Sequence, residues 1–148
     1  VRALRTLIEA RGSTAHVIAK IEKAEAITGL DEILAESDAV MVARGDLAVE
    51  VGFERLSELQ EEILWLCESA HVPVIWATQV LEGLAKGGAP TRAEVSDAVM
   101  SSRAECVMLN KGPRVVDTVA FLADILERMA EHHDKRMALL RRLSVSEL

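Results

Sequence analysis

Four short apolar runs, separated by helix-like stretches, do most to limit what this chain can fold into. They are 17–22, 39–43, 72–77 and 106–109. Continuous apolar runs of this length mark parallel strands that are covered on both faces, in contrast to the alternating pattern of a half-solvated antiparallel strand. Each run is followed by a segment of helical character, so the chain reads as β-α repeated four times. An α/β fold on a parallel sheet is the expectation.

The intervening segments carry their own start and stop signals. Leu4, Leu7 and Ile8 have helical spacing over 1–11, and Gly12 ends that helix. An Ala- and Glu-rich stretch follows the first strand, is punctuated by Gly29, and continues as a helix over 31–36 with Asp31 near its positive end. The clearest long helix spans 53–70, where Leu56, Leu59, Gln60, Ile63, Leu66 and Cys67 trace one stripe. A short helix is expected over 80–84, ending in the loop Lys86-Gly87-Gly88. Thr91 and Glu94 have the spacing of a capping box. Pro113 suits the first turn of a last helix running to about His133. Beyond it, 134–148 reads as a basic helical tail in solvent. Nothing resembling a linker divides the chain, so it is expected to be one unit.

Charge and composition remove several function classes. A net charge of -7 leaves nothing to neutralise phosphates along a nucleic acid, and 3% aromatic residues with no Tyr leave few platforms for bases. No apolar run reaches the ~18 residues of a membrane span, and no signal-peptide pattern is read. Cys67 and Cys106 lie in apolar segments without metal-ligand spacing, and both are expected to be buried thiols in a reducing compartment. Cytoplasm is the expected location.

Chemistry-bearing residues recur just past the strands. Lys20 and Glu22 are two apart and must share a face of the first strand, a charged pair that is costly to bury unless a ligand or metal satisfies it. Gly45 and Asp46 follow the second strand and Thr78 the third. In a parallel α/β barrel that end of the sheet is the active-site face. Glu22 and Asp46 would supply two hard oxygen ligands to Mg²⁺ or Mn²⁺. The amides of Gly45 and Asp46 could cradle a carboxylate or phosphate at a short helix start. Lys20 would place positive charge where negative charge develops, and Thr78 adds a hydroxyl. Plainer readings stand beside these. Lys20 and Glu22 could pair with each other in solvent, Arg44-Gly45-Asp46 could be an ordinary loop, Thr78 could cap the next helix, and Thr91 with Glu94 suits a capping box better than catalysis.

Taken in order, Lys20-Ile21-Glu22, Asp31-Glu32-Ile33-Leu34 with Ser37-Asp38, and Met41-Val42-Ala43-Arg44-Gly45-Asp46-Leu47 resemble pyruvate kinase. Val74-Ile75 with Ala77-Thr78-Gln79, Pro90-Thr91-Arg92-Ala93-Glu94-Val95-Ser96-Asp97, and Val107-Met108-Leu109 continue the resemblance. It covers nearly all of 17–109. It implies that 1–148 is the second half of a TIM-barrel catalytic domain, a parallel (β/α) half-barrel of strands five to eight. The activity implied is the glycolytic phosphoryl transfer between phosphoenolpyruvate and ADP that gives pyruvate and ATP. By the same resemblance, Lys20 assists phosphoryl transfer and stabilises the enolate, and Glu22 and Asp46 bind the divalent metal. The Gly45 and Asp46 amides and the Thr78 hydroxyl hold the substrate carboxylate, while Arg44 is given a structural role. The family's K⁺ ligands, lid domain and phosphate-gripping arginines belong to a first half outside these 148 residues.

The sequence departs from the family pattern in places. Lys23 stands where Asn is usual after the acid, and Leu47-Ala48-Val49-Glu50 and Val80-Leu81-Glu82-Gly83 replace Leu-Gly-Val-Glu and Met-Leu-Glu-Ser. Asn110-Lys111-Gly112-Pro113 replaces Ser-Gly-Glu-Thr, which bears on the nucleotide or proton-donating side and not on the metal site. Two alternatives remain beside the kinase: a Mg²⁺-dependent lyase or aldolase on a related barrel, and a non-catalytic module that binds phosphoenolpyruvate and metal or serves assembly. Four strands also leave two free edges and an inward face, with Ile18, Met41 or Val42, Ile75 and Met108 as candidates, that has nothing to pack against. Homo-oligomerisation or a missing N-terminal half-barrel is the expectation, with little turnover by the chain alone.

Overall fold

A computed structural model describes residues 1–137. The chain opens with α1 (Arg2–Ala10), then β1 (Ile18–Ile21), α2 (Ala24–Thr28) and α3 (Leu30–Ala35). Next come β2 (Ala39–Ala43), α4 (Arg44–Val51), α5 (Phe53–Ser69) and β3 (Val74–Ala77). The last section is α6 (Glu82–Gly87), α7 (Arg92–Met100), a 3₁₀ turn at Ser101–Arg103, β4 (Cys106–Val107) and α8 (Val115–Met137). The tail expected over 134–148 lies outside the described residues from 138 onward.

The four strands form one parallel sheet in the order β1-β2-β3-β4, as the β-α repeat requires. Register fixes which side chains share a face. Ile21, Val42 and Trp76 lie side by side in adjacent strands, and all three are fully buried in the helix-covered core. Lys20, Met41, Ile75 and Cys106 form the neighbouring row, on the opposite face. That row is open or half-open, and Ile18 at 51% and Met108 at 39% exposure extend the uncovered area. Coverage on both faces, expected from the uniform apolar runs, is therefore not supplied by the described residues. The helices cover one side only. Of the two alternatives at the inward face, Met41 occupies it, while Val42 belongs to the core.

Several expected details shift for identifiable reasons. The short helix expected over 80–84 begins at Glu82, because Thr78, Gln79 and Leu81 adopt left-handed φ values of 66°, 58° and 49°. On α5 the stripe turns slightly: Leu59, Gln60, Ile63, Leu64 and Cys67 are buried, whereas Leu66 is exposed. Pro113 sits in a turn ahead of α8 and not in its first turn. Cys106 is exposed, since β4 is a two-residue edge strand with that position on the open face. Cys67 is buried as expected, and burial pushes its thiol up to about 11. On α1, Leu4 and Leu7 stay exposed and no residue is buried. Polar ties hold the helix instead. Arg2 pairs with Glu36, and Arg5 with Asp38, whose Oδ2 also accepts from the Val17 amide at 2.6 Å.

Candidate active site

The ends of β1 and β2 bring three charges together. Lys20 is on β1, Glu22 follows its last residue, and Asp46 stands in the first turn of α4, which starts directly after β2. The Lys20 ammonium pairs with Glu22 Oε2 and lies 3.3 Å from Asp46 Oδ2. All three side chains are exposed to solvent by a third or more, so the pair does not carry the burial cost anticipated for it. Hydrogen bonding to Glu22, and then to Asp46, raises the Lys20 pKa, so the ammonium is charged throughout the neutral range. The plain solvent pairing of Lys20 with Glu22 is present. What it did not anticipate is the second acid, contributed by the adjacent strand end.

Among the described residues, no group of three or more His, Cys, Asp or Glu side chains is placed to hold a metal. A Mg²⁺ site does not need one, because that ion commonly takes one or two carboxylates and completes its octahedron with substrate oxygens and water. Glu22 and Asp46 fit this donor set. They already converge on one cation, the Lys20 ammonium, and their exposure leaves room for water ligands.

The second half of the site is built on the turn after β3. Gly45 N–H donates to Thr78 Oγ1 at 2.8 Å, which leaves the hydroxyl proton to donate elsewhere. A Cβ on Gly45 would lie 3.5 Å from that oxygen, an ordinary van der Waals contact. Thr78 does not cap the next helix: α6 has Leu81 at its N-cap and no side-chain cap there.

Arg44 ties this half to the core. Its side chain is 9% exposed, its Nε donates to Ala77 O at 2.9 Å, one Nη donates to Thr78 O, and the other pairs with Asp97. Its guanidinium lies 4.6 Å from the Trp76 ring centroid, in cation–π contact. Arg44-Gly45-Asp46 is thus the first turn of a helix, not a loop, and the structural role expected of Arg44 matches its burial. Thr91 and Glu94 form the expected capping box on α7, and Glu94 reaches further to accept from Gly83 N–H. A cleft of about 340 Å³ opens beside Thr78, bordered by Arg44, Glu94 and Asp97; Lys20, Glu22 and Asp46 lie outside it.

Sequence reasoning named Asp97 and Asn110 only within longer stretches and gave Trp76 no role; Asn110 Oδ1 accepts from Gln79 N–H at 3.2 Å. The one available signal was an arginine at the end of an apolar strand, which has to find a carboxylate if it is to be buried.

A family profile described as "Pyruvate kinase, barrel domain" matches residues 1–113. A pyruvate kinase from Agrobacterium vitis is 42% identical over 141 residues, covering 89% of this chain and 30% of the relative. Pyruvate kinase 2 from a Synechocystis strain is 41% identical over 134 residues, covering 86% of this chain and 23% of the relative. Pyruvate kinase isozyme G, chloroplastic, from Ricinus communis is 42% identical over 132 residues, or 81% and 32% of the two chains. The chain thus spans less than a third of the length of each of these curated relatives.

Proposed function

The chain belongs to the pyruvate kinase family, matching its barrel domain, and from that premise we propose that it carries the metal and enolate side of a site for phosphoryl transfer from phosphoenolpyruvate to ADP. One observation carries the proposal. The Lys20 ammonium sits between Glu22 and Asp46 at adjacent strand ends, and Asp46 directly follows Gly45, whose amide donates to the Thr78 hydroxyl oxygen.

Each group has a distinct task. Glu22 and Asp46 would hold Mg²⁺ or Mn²⁺. The metal, when bound, supplies positive charge to the substrate oxygens and fixes their orientation. The Asp46 amide, at the positive end of α4, and the Thr78 hydroxyl would hold the substrate carboxylate, with the Gly45 amide, which already donates to Thr78 Oγ1, orienting that hydroxyl or shared with the anion. Lys20 would set its charge against the transferring phosphoryl group and the enolate left behind. Phosphoryl transfer needs chiefly such positioning and charge stabilisation.

The four parallel strands are then strands five to eight of a TIM barrel. Because the chain spans less than a third of the length of these relatives, the open row of Ile18, Met41, Ile75 and Met108 would be covered by the other half of that barrel. K⁺ ligands, lid and phosphate-gripping arginines would come from there, and the cytoplasm suits the reaction. No described helix is long and apolar enough to cross a membrane.

The test is a coupled assay for ADP-dependent pyruvate formation beside calorimetry of oxalate and Mn²⁺. Metal-dependent oxalate binding supports the site; its absence in a folded chain removes it. Sedimentation equilibrium at low micromolar concentration examines the open face, where a well-folded monomer would sink the half-barrel account and a two-fold dimer would name a second copy as the cover. Binding without turnover by the chain alone fits both the incomplete barrel and the non-catalytic module; turnover once the rest of the barrel is supplied separates them.

A further inference from the structure

We propose that Arg44, locked by Asp97, is a positioning residue: it sets the left-handed turn at Thr78 and Gln79 and thereby aims the Thr78 hydroxyl at the Gly45 amide. This rests on the reading of Gly45 and Thr78 as substrate-holding groups.

The starting point is a conformation that the local sequence does not favour. Thr78 has φ 66° and Gln79 φ 58°, with no glycine at either position. A β-branched residue in the left-handed region is a genuine outlier that persists only when its surroundings over-determine it. Left to itself, the chain after Trp76 and Ala77 would continue extended, and the Thr78 side chain would point elsewhere.

The surroundings that impose the turn are specific. Arg44 Nε takes the carbonyl of Ala77 at 2.9 Å, and an Nη of the same fork takes the carbonyl of Thr78. The peptides on either side of Thr78 are thereby fixed to one rigid plane. Asn110 Oδ1 accepts from the next amide, Gln79 N–H, at 3.2 Å. The plane itself cannot swing, because its remaining Nη pairs with Asp97 and the guanidinium packs against the buried Trp76 ring.

A second feature separates this from an ordinary buried ion pair. Arg44 precedes Gly45, so one residue controls both partners of the Gly45–Thr78 hydrogen bond. Its backbone starts the helix turn that presents the Gly45 N–H, and its side chain holds the peptides around the acceptor. Only a planar fork can take two successive carbonyls and a carboxylate together. A lysine ammonium has the charge without that geometry.

The experiment uses the ¹⁵N-labelled 148-residue chain with Arg44→Lys, Asp97→Asn and, as a control on an ion pair elsewhere, Arg103→Lys, whose guanidinium pairs with Glu61. The readouts are the intraresidue amide–Hα NOE of Thr78 and Gln79, which is strong only at positive φ, and hydrogen exchange of the Gly45 amide. Oxalate binding with Mn²⁺ is measured in parallel. The expected result is that Arg44→Lys loses both NOEs and exchanges Gly45 at least tenfold faster while β2 amides stay protected. Asp97→Asn should show the same change in smaller measure, and Arg103→Lys none.

Persistence of the NOEs and of Gly45 protection in both variants, whatever happens to the melting temperature, overturns the proposal and leaves Arg44 a structural tie. If Arg44→Lys does not fold, Asp97→Asn decides by the same criterion, since that carboxylate is 27% exposed and its loss is the milder change. Failure of the parent chain to bind oxalate removes the substrate-site reading, whereas the NOE and exchange results still decide whether Arg44 sets the turn.

Discussion

The two halves of the candidate site are held in opposite ways. Lys20, Glu22 and Asp46 meet in solvent, and among the described residues their side chains are tied to one another, so little side-chain packing fixes their positions. Gly45 and Thr78 are fixed from behind by an arginine that is itself buried against Trp76 and paired with Asp97. Exposed ion pairs contribute little to stability, while a buried charge left without its partner is strongly destabilising. The first half is therefore free to rearrange around an incoming cation and substrate. The second is preorganised, and its cost falls on the fold. Substitutions in the first half should therefore cost function and leave stability, whereas those behind the second should cost stability as well.

The sharpest test of that separation lies at Lys20. In an assembly that turns over, Lys20→Met should lower kcat roughly a hundredfold or more, the usual scale for losing a charge aimed at a transition state. Thermal unfolding followed by circular dichroism should be nearly unchanged, because the ammonium is exposed. Unfolding of the variant, or normal turnover, would make Lys20 a structural residue and dissolve the contrast.

Arg44→Met should behave in the opposite sense. It leaves Asp97 and two carbonyls without their donor, and a destabilisation of about 3 kcal/mol is expected in urea unfolding. A change below roughly 1 kcal/mol would mean that water replaces the guanidinium, and that the second half is no more firmly held than the first.

Asp46→Ala comes next in size. Half of the protein's metal ligands go with it, so Mn²⁺ affinity by titration calorimetry should fall more than tenfold while stability is kept. Unchanged affinity would remove the metal assignment from the exposed half.

What could be read in the sequence follows the same division. The shared face of Lys20 and Glu22 followed from strand periodicity alone, and the placing of Asp46 beside them from the order of β-α units. Geometry that depends on register or on tertiary contacts was not legible. Met41 and Val42 are both apolar neighbours, and only the pairing Lys20–Met41–Ile75 assigns Met41 to the open face. Cys106 reads as a core thiol until β4 proves to be a two-residue edge. The left-handed turn at Thr78 had no signal either, because its cause is an arginine distant in sequence. Asp97 was visible as part of a motif, but its partner was not.

The smallest expected effect concerns Glu94, which borders the cleft from the side of the buried half. Its carboxylate accepts from the Thr91 amide at 2.8 Å, closing the capping box, and from the Gly83 amide. The Thr91 amide is the main cause of its lowered pKa; burial opposes the shift, and Gly83 N–H reinforces it. A carboxylate whose folded pKa is depressed binds fewer protons in the native state than in the unfolded one. Its contribution to stability is therefore present above the ordinary value of 4.5 and is lost as pH falls through the lower, folded value. Glu94→Gln should accordingly be less stable than the parent at pH 7, and the gap should close steadily below about pH 4.5. Urea midpoints of the two proteins measured from pH 7 down to pH 3 give the curve. A gap that does not narrow in acid would show that Glu94 acts through shape alone, with no charge-assisted hold on the two amides. The buried half would then owe its rigidity to Arg44 and not to the acid on α7.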